Sequence, residues 1–155
     1  MFKTIWKSIF TIYILMLLIF VVIKFNGDIS EIINTIQRNR DRGGSGINLV
    51  PFRTIGTYTN DISSSIPFMN IIGNIVPFIP MGFIIPMTFA SQRNIIKVMF
   101  FCLLLIFSLE TLQFLFFLGS FDIDDIILNQ LSCTIGYLLF ITYKNIFKQF
   151  VRASN

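Results

Sequence analysis

The sequence predicts an all-α integral membrane protein: a four-helix bundle with a short extracytoplasmic amphipathic helix between helices one and two. Three observations carry this. Of 155 residues, 54% are apolar and only 13% charged, against about a quarter charged in soluble domains. The mean hydropathy is +0.76 and 19 residues are phenylalanine, more apolar surface than a water-soluble globule of this size can bury. The apolar residues also fall into four runs, each near the ~20 residues that cross a bilayer core.

The first run, about Ile5 to Phe25, carries Lys7 near its start. The Lys24-Phe25-Asn26-Gly27 that closes it is no small-residue cleavage site, so the segment reads as an uncleaved anchor. Residues 26–66 form a polar connection. Within it Asp28 and Glu31 have capping-box spacing, and Ile29, Ile32, Ile33 and Ile36 recur at helical intervals. That pattern suits a helix lying on the membrane surface. It ends in Arg38, Asn39, Arg40, Asp41 and Arg42, then breaks at Gly43-Gly44-Ser45-Gly46. The basic cluster is either a solvated loop or a site for anions and lipid headgroups.

The second run, about Pro67 to Ala90, is interrupted by Asn70, Gly73, Asn74, Pro77, Pro80, Gly82 and Pro86. Pro77 deprives the Gly73 carbonyl of its helical donor. Such backbone is tolerated at membrane depth only against protein or water, so this helix should face the bundle. The third run, about Val98 to Leu118, contains Ser108, Glu110, Thr111 and Gln113. After a turn bearing Asp122, Asp124 and Asp125, the fourth runs from about Ile126 to Tyr143. The short flanks set the orientation. Lys3, Lys7, Arg93, Lys97, Lys144, Lys148 and Arg152 fall on one side and the three aspartates on the other, so both termini should be cytoplasmic.

Composition excludes several functions. With no histidine, Ser-His-Asp and Cys-His nucleophile systems and His-bound metals are absent. Cys102 and Cys133 lie in apolar runs and read as small buried hydrophobes. The net charge of +4 comes from bases at the edges of apolar runs, which serves topology rather than nucleic acid.

The unusual polar groups gather toward the outer side. Glu110 is a carboxyl within an apolar span, with Gln113 on the same face; an intramembrane acid is either functional or a packing group held neutral. Asp125, Asn129, Ser132 and Gly136 form one stripe, and Ser132-x-x-x-Gly136 is a small-residue helix contact. Asp122, Asp124 and Asp125 either cap the fourth helix or form an oxygen-rich site for a hard cation such as Mg²⁺ or Ca²⁺, or for a polar headgroup. Arg53 is the base placed to join them.

Several blocks resemble the VanZ-like family. They are Asn48-Leu49-Val50-Pro51-Phe52-Arg53-Thr54-Ile55, the stretch Asn70 to Phe83, Glu110-Thr111-Leu112-Gln113, Phe121 to Asn129, and Ile135-Gly136-Tyr137. The resemblance covers roughly residues 8–145, with the blocks in order, so the whole chain 1–155 reads as a single VanZ-like domain. Two departures stand out. Gly119-Ser120 replaces an Arg the family often has before the aspartates, and Ser132-Cys133 replaces a Gly pair, which implies looser packing there.

The resemblance implies a protein of the bacterial cytoplasmic membrane that contributes to resistance against lipoglycopeptides such as teicoplanin. Its ligand-binding candidates are Arg53, Asn70, Asn74, Glu110, Gln113, Asp122, Asp125 and Asn129. Its partners would be membrane lipids and either a lipid-linked cell-wall intermediate or the lipoglycopeptide. A second function is a membrane enzyme acting on a lipid-linked envelope intermediate with a divalent cation. No nucleophile stands out, and the residues leave catalysis open.

Overall fold

A computed structural model describes residues 2–23, 29–44, 46–60 and 65–153. Its helices are α1 (Phe2–Ile23), α2 (Ile29–Asp41), α3 (Arg53–Asn60), α4 (Ser65–Thr88), α5 (Ile95–Leu115) and α6 (Ile123–Ala153). Two short strands, β1 (Ile47–Asn48) and β2 (Phe121–Asp122), pair in parallel.

By length and composition, three stretches suit a membrane crossing: Ile71–Thr88, Ile95–Leu115 and Ile123–Phe147. The apolar part of α1, Thr4–Phe20, is shorter. Three of the four expected spans therefore meet that test among the described residues. Residues 24–28, which hold the end of the first expected span and the Asp28 cap, lie outside them. The amphipathic helix expected after the first run is present as α2, and none of its described residues is buried.

Helix α5 starts at Asn94, whose side chain accepts from the Ile96 amide at 2.9 Å, an N-cap that satisfies one orphan donor. It stops three residues before the expected Leu118. Phe117 takes a φ of 58° and the Leu118 amide reaches back to the Gln113 carbonyl at 2.8 Å, a closure of the left-handed type usually given to glycine. Helix α2 ends similarly. Gly43 and Gly44 have φ of 81° and 135°, and the Gly44 amide donates to Asn39 O at 2.9 Å. The Gly-rich segment is thus a helix terminator as well as a break. Helix α6 runs past Tyr143 to Ala153, since nothing after the span breaks the helix.

Helices α4 and α6 form the axis of the bundle. A Cβ on Gly82 would lie 1.9 Å from the Cys133 carbonyl oxygen, and one on Gly136 would lie 1.9 Å from that of Ile79. The two backbones touch, so only glycine fits at either position. This is the small-residue contact expected around Ser132 and Gly136, and Gly82 is its partner across the interface. The looser packing inferred from Ser132-Cys133 is absent at this contact, because Gly82 supplies the space from the other helix. Cys102 and Cys133 are both buried free thiols.

Prolines 77, 80 and 86 all lie inside α4, a helix that survives them because its neighbours bind its backbone. The Tyr13 hydroxyl donates to Pro77 O at 2.8 Å, and the Cys133 thiol approaches Phe78 O at 3.5 Å. Elsewhere in the apolar helices, hydroxyls fold back on their own backbone: Ser108 donates to Leu104 O, Thr111 to Phe107 O and Ser132 to Leu128 O, at 2.7–2.8 Å. Each of these three hydroxyl protons is thereby satisfied within its own helix.

Candidate functional site

Two polar assemblies occupy the end of the bundle where α5 meets α6. The upper one is a clamp. Strands β1 and β2 register Ile47 with Phe121 and Asn48 with Asp122, which lays the 46–55 segment across the α5–α6 turn. Asp124 is fully buried, 0% exposed. Its carboxylate accepts from the amides of Phe52 at 2.6 Å, Thr54 at 2.8 Å and Ile55 at 3.1 Å. These are orphan donors around the start of α3, and a negative charge there also meets the positive end of the helix dipole.

Asp122 completes the clamp. Its carboxylate accepts from Asn48 Nδ2 at 3.0 Å, from the Thr54 hydroxyl at 2.6 Å and from the Asp124 amide at 2.9 Å. Asp125 points elsewhere and accepts from Asn74 Nδ2. Asp122 and Asp124 thus share Thr54, while Asp125 serves a different partner. Among the described residues no group of three or more His, Cys, Asp or Glu side chains is placed to hold a metal ion. The Asp122 and Asp124 carboxylates each already accept three hydrogen bonds from protein groups.

The lower assembly is a cavity of about 10 Å³ lined by Phe20, Gly73, Asn74, Phe78, Leu109, Glu110, Gln113 and Asn129. Four of the sequence-derived candidates thus meet from α4, α5 and α6. Glu110 is 4% exposed and Asn129 1%. The Asn129 Oδ1 atom is buried and accepts no hydrogen bond. Gly73 lines the same space, and Pro77 withholds the amide that would normally serve its carbonyl. Asp125 joins the cavity at one remove, through Asn74.

The remaining candidates lie apart. The Arg53 side chain is exposed at the start of α3 and does not reach the cavity. Asn70 belongs to α4, and its side chain lies outside the described residues.

Three polar residues outside the set of site candidates make further ties. Asn48 joins the clamp through Asp122 and also donates to the Thr54 hydroxyl at 3.0 Å; the pairing of Asn48 with a residue 74 positions away leaves no local trace. Asn39 donates to Phe117 O at 2.8 Å, tying α2 to the closed end of α5. Gln130 donates from Nε2 to Met99 O at 3.1 Å, while its Oε1 is buried without a partner. A glutamine one position after Asn129 in an apolar run was the signal available for it.

Chemically the cavity is rich in acceptors. Its volume of about 10 Å³ matches the ~10–15 Å³ that a single water needs, so it has room for a water or one small donor group. Neither cysteine nor Ser132 is presented to it as a nucleophile.

Comparison with known proteins agrees with the blocks noted in the sequence. The chain is 27% identical over 138 residues to protein VanZ of Enterococcus faecium, covering 89% of this chain and 74% of the relative. No solved structure matches it. The profile of the VanZ/LLP1 family matches residues 10–147, and the chain belongs to that family.

Proposed function

We propose that this chain is a four-span protein of the bacterial cytoplasmic membrane, with both termini cytoplasmic, that lowers susceptibility to lipoglycopeptides of the teicoplanin type. It does so through the polar cavity at the outer end of its bundle. The family and the VanZ name of the Enterococcus relative support the phenotype. The cavity is the observation that supports the site. Four polar side chains from three helices meet at one buried point; an ionised carboxyl there costs several kcal/mol unless it is paired or protonated, and such residues mark functional paths.

Size favours one mode of action. Sites that enclose drug-sized molecules run to about 300–1,000 Å³, whereas this cavity has about 10 Å³. The antibiotic is therefore not engulfed by this cavity. The chain acts through a lipid or lipid-linked envelope component at the bundle surface, with the cavity as the polar element that responds to it.

The test is a pair of variants expressed in a susceptible host and compared at equal membrane level. Glu110→Gln keeps size and hydrogen bonding but cannot ionise, and should lose protection. Glu110→Leu should lose it too. If Glu110→Gln protects as well as the parent and Glu110→Leu is stable, the acid is a packing group and the proposal fails. Topology is read separately: Ser120→Cys should react with an impermeant outside reagent and Arg93→Cys should not.

A further inference from the structure

Between β1 and α3 the chain turns a run of apolar residues outward. Ile47, Leu49, Val50 and Phe52 are 56–65% exposed, and Pro51 between them is exposed as well. The run is held firmly. Phe52 adopts a φ of 65°, a conformation that bulky residues avoid, while its amide is fixed on the buried Asp124 carboxylate. The fold thus accepts backbone strain in order to present an aromatic ring away from its own core.

Two independent ties set the level of this tip. Ile47 and Asn48 pair with Phe121 and Asp122, which lie between the apolar stretches ending at Leu115 and starting at Ile123. Asn39 binds Phe117 O in the same turn, bringing the end of α2 with exposed Arg40 and Arg42 to that level. Exposed Arg53 follows Phe52 directly. The tip and three arginines therefore surround the place where two spans leave the hydrocarbon. Apolar side chains beside exposed bases at that depth are what an anionic membrane surface attracts.

We infer that the tip Leu49-Val50-Pro51-Phe52 inserts into the headgroup–acyl boundary beside the bundle, with Arg40, Arg42 and Arg53 binding the phosphates of anionic phospholipid. The charge and the depth both select lipid over a soluble partner. The inference needs the spans but not the antibiotic reading.

The full chain is reconstituted in bilayers of phosphatidylcholine and phosphatidylglycerol, with Trp6→Phe and either Leu49→Trp or Phe52→Trp as the sole indole. Lipids brominated near the top of the acyl chain serve as quenchers. Both reporters should be quenched, and brominated phosphatidylglycerol should quench about twofold more than brominated phosphatidylcholine at equal fraction. Combining Arg40→Gln, Arg42→Gln and Arg53→Gln, three exposed side chains, should equalise the two lipids while quenching persists. An indole that neither lipid quenches overturns insertion and leaves the tip to water or to a protein. Equal quenching by the two lipids in the chain with its arginines intact, or a preference that survives their removal, overturns the anionic-lipid assignment. No antibiotic enters the measurement, so its failure would leave the resistance proposal standing.

Discussion

The clamp at the α5–α6 turn and the cavity about one helical turn deeper are built from the same residue types, yet they are in opposite states. In the clamp the Asp122 and Asp124 carboxylates each accept three hydrogen bonds. In the cavity Asn129 Oδ1 accepts none, beside space for about one water. A carboxylate filled by backbone donors is fixing a chain segment, and its removal should be read in stability. A buried acceptor left open gains little stability from its polarity, and its removal should be read in function. Residue type alone could not tell these apart; the partner of each oxygen does.

The largest effect is expected in the support common to both regions. Gly136→Ala would press a Cβ to 1.9 Å from Ile79 O and force α4 and α6 apart, costing about 3 kcal/mol or more. It should lower membrane level and melting temperature, and disable clamp and cavity together. An unchanged melting temperature would mean that the two helices do not touch there.

Within the clamp, Asp124→Ala strands three amides and should cost about 3 kcal/mol. Asp124→Asn, which keeps one acceptor oxygen, should cost roughly half of that. Thermal melts in detergent and protease cutting near residues 46–55 measure both. If Asp124→Ala melts like the parent, the contrast drawn between the regions collapses. Asp122→Asn keeps acceptors for part of its network and should cost about 1 kcal/mol on the same assay. Phe52→Gly should go the other way. It relieves the positive φ and should gain up to about 1 kcal/mol in detergent, the strain released less the entropy glycine adds to the unfolded chain. A loss instead would show that the ring packs where it is drawn as exposed.

Much of the cavity was legible in the sequence because polar residues inside apolar runs are conspicuous. Asn74, Glu110, Gln113 and Asn129 each break a hydrophobic stretch, and helical spacing puts them on inward faces. The Gly136 contact was legible for the same reason, as small residues at a four-residue interval. The clamp was not. Its hydrogen bonds link Asn48 and Thr54 to Asp122, and three backbone amides to Asp124, across about 70 residues, and backbone amides leave no mark in a sequence. Three closely spaced aspartates suggested a helix cap or a cation, and nothing local showed that two of them hold a loop. Helix α3 stayed hidden because Arg53–Asn60 is short and polar, with its start capped from a distant turn.

The most direct test of the contrast is Asn129→Ala. The side chain is 1% exposed with its oxygen open to the cavity, so removing it should shift stability by no more than about 1–2 kcal/mol. Cells expressing it at the parent's membrane level should nevertheless become as susceptible to teicoplanin as cells lacking the protein. Retained protection at equal level would contradict the account, since the cavity would then be a packing defect rather than the site through which the protein acts.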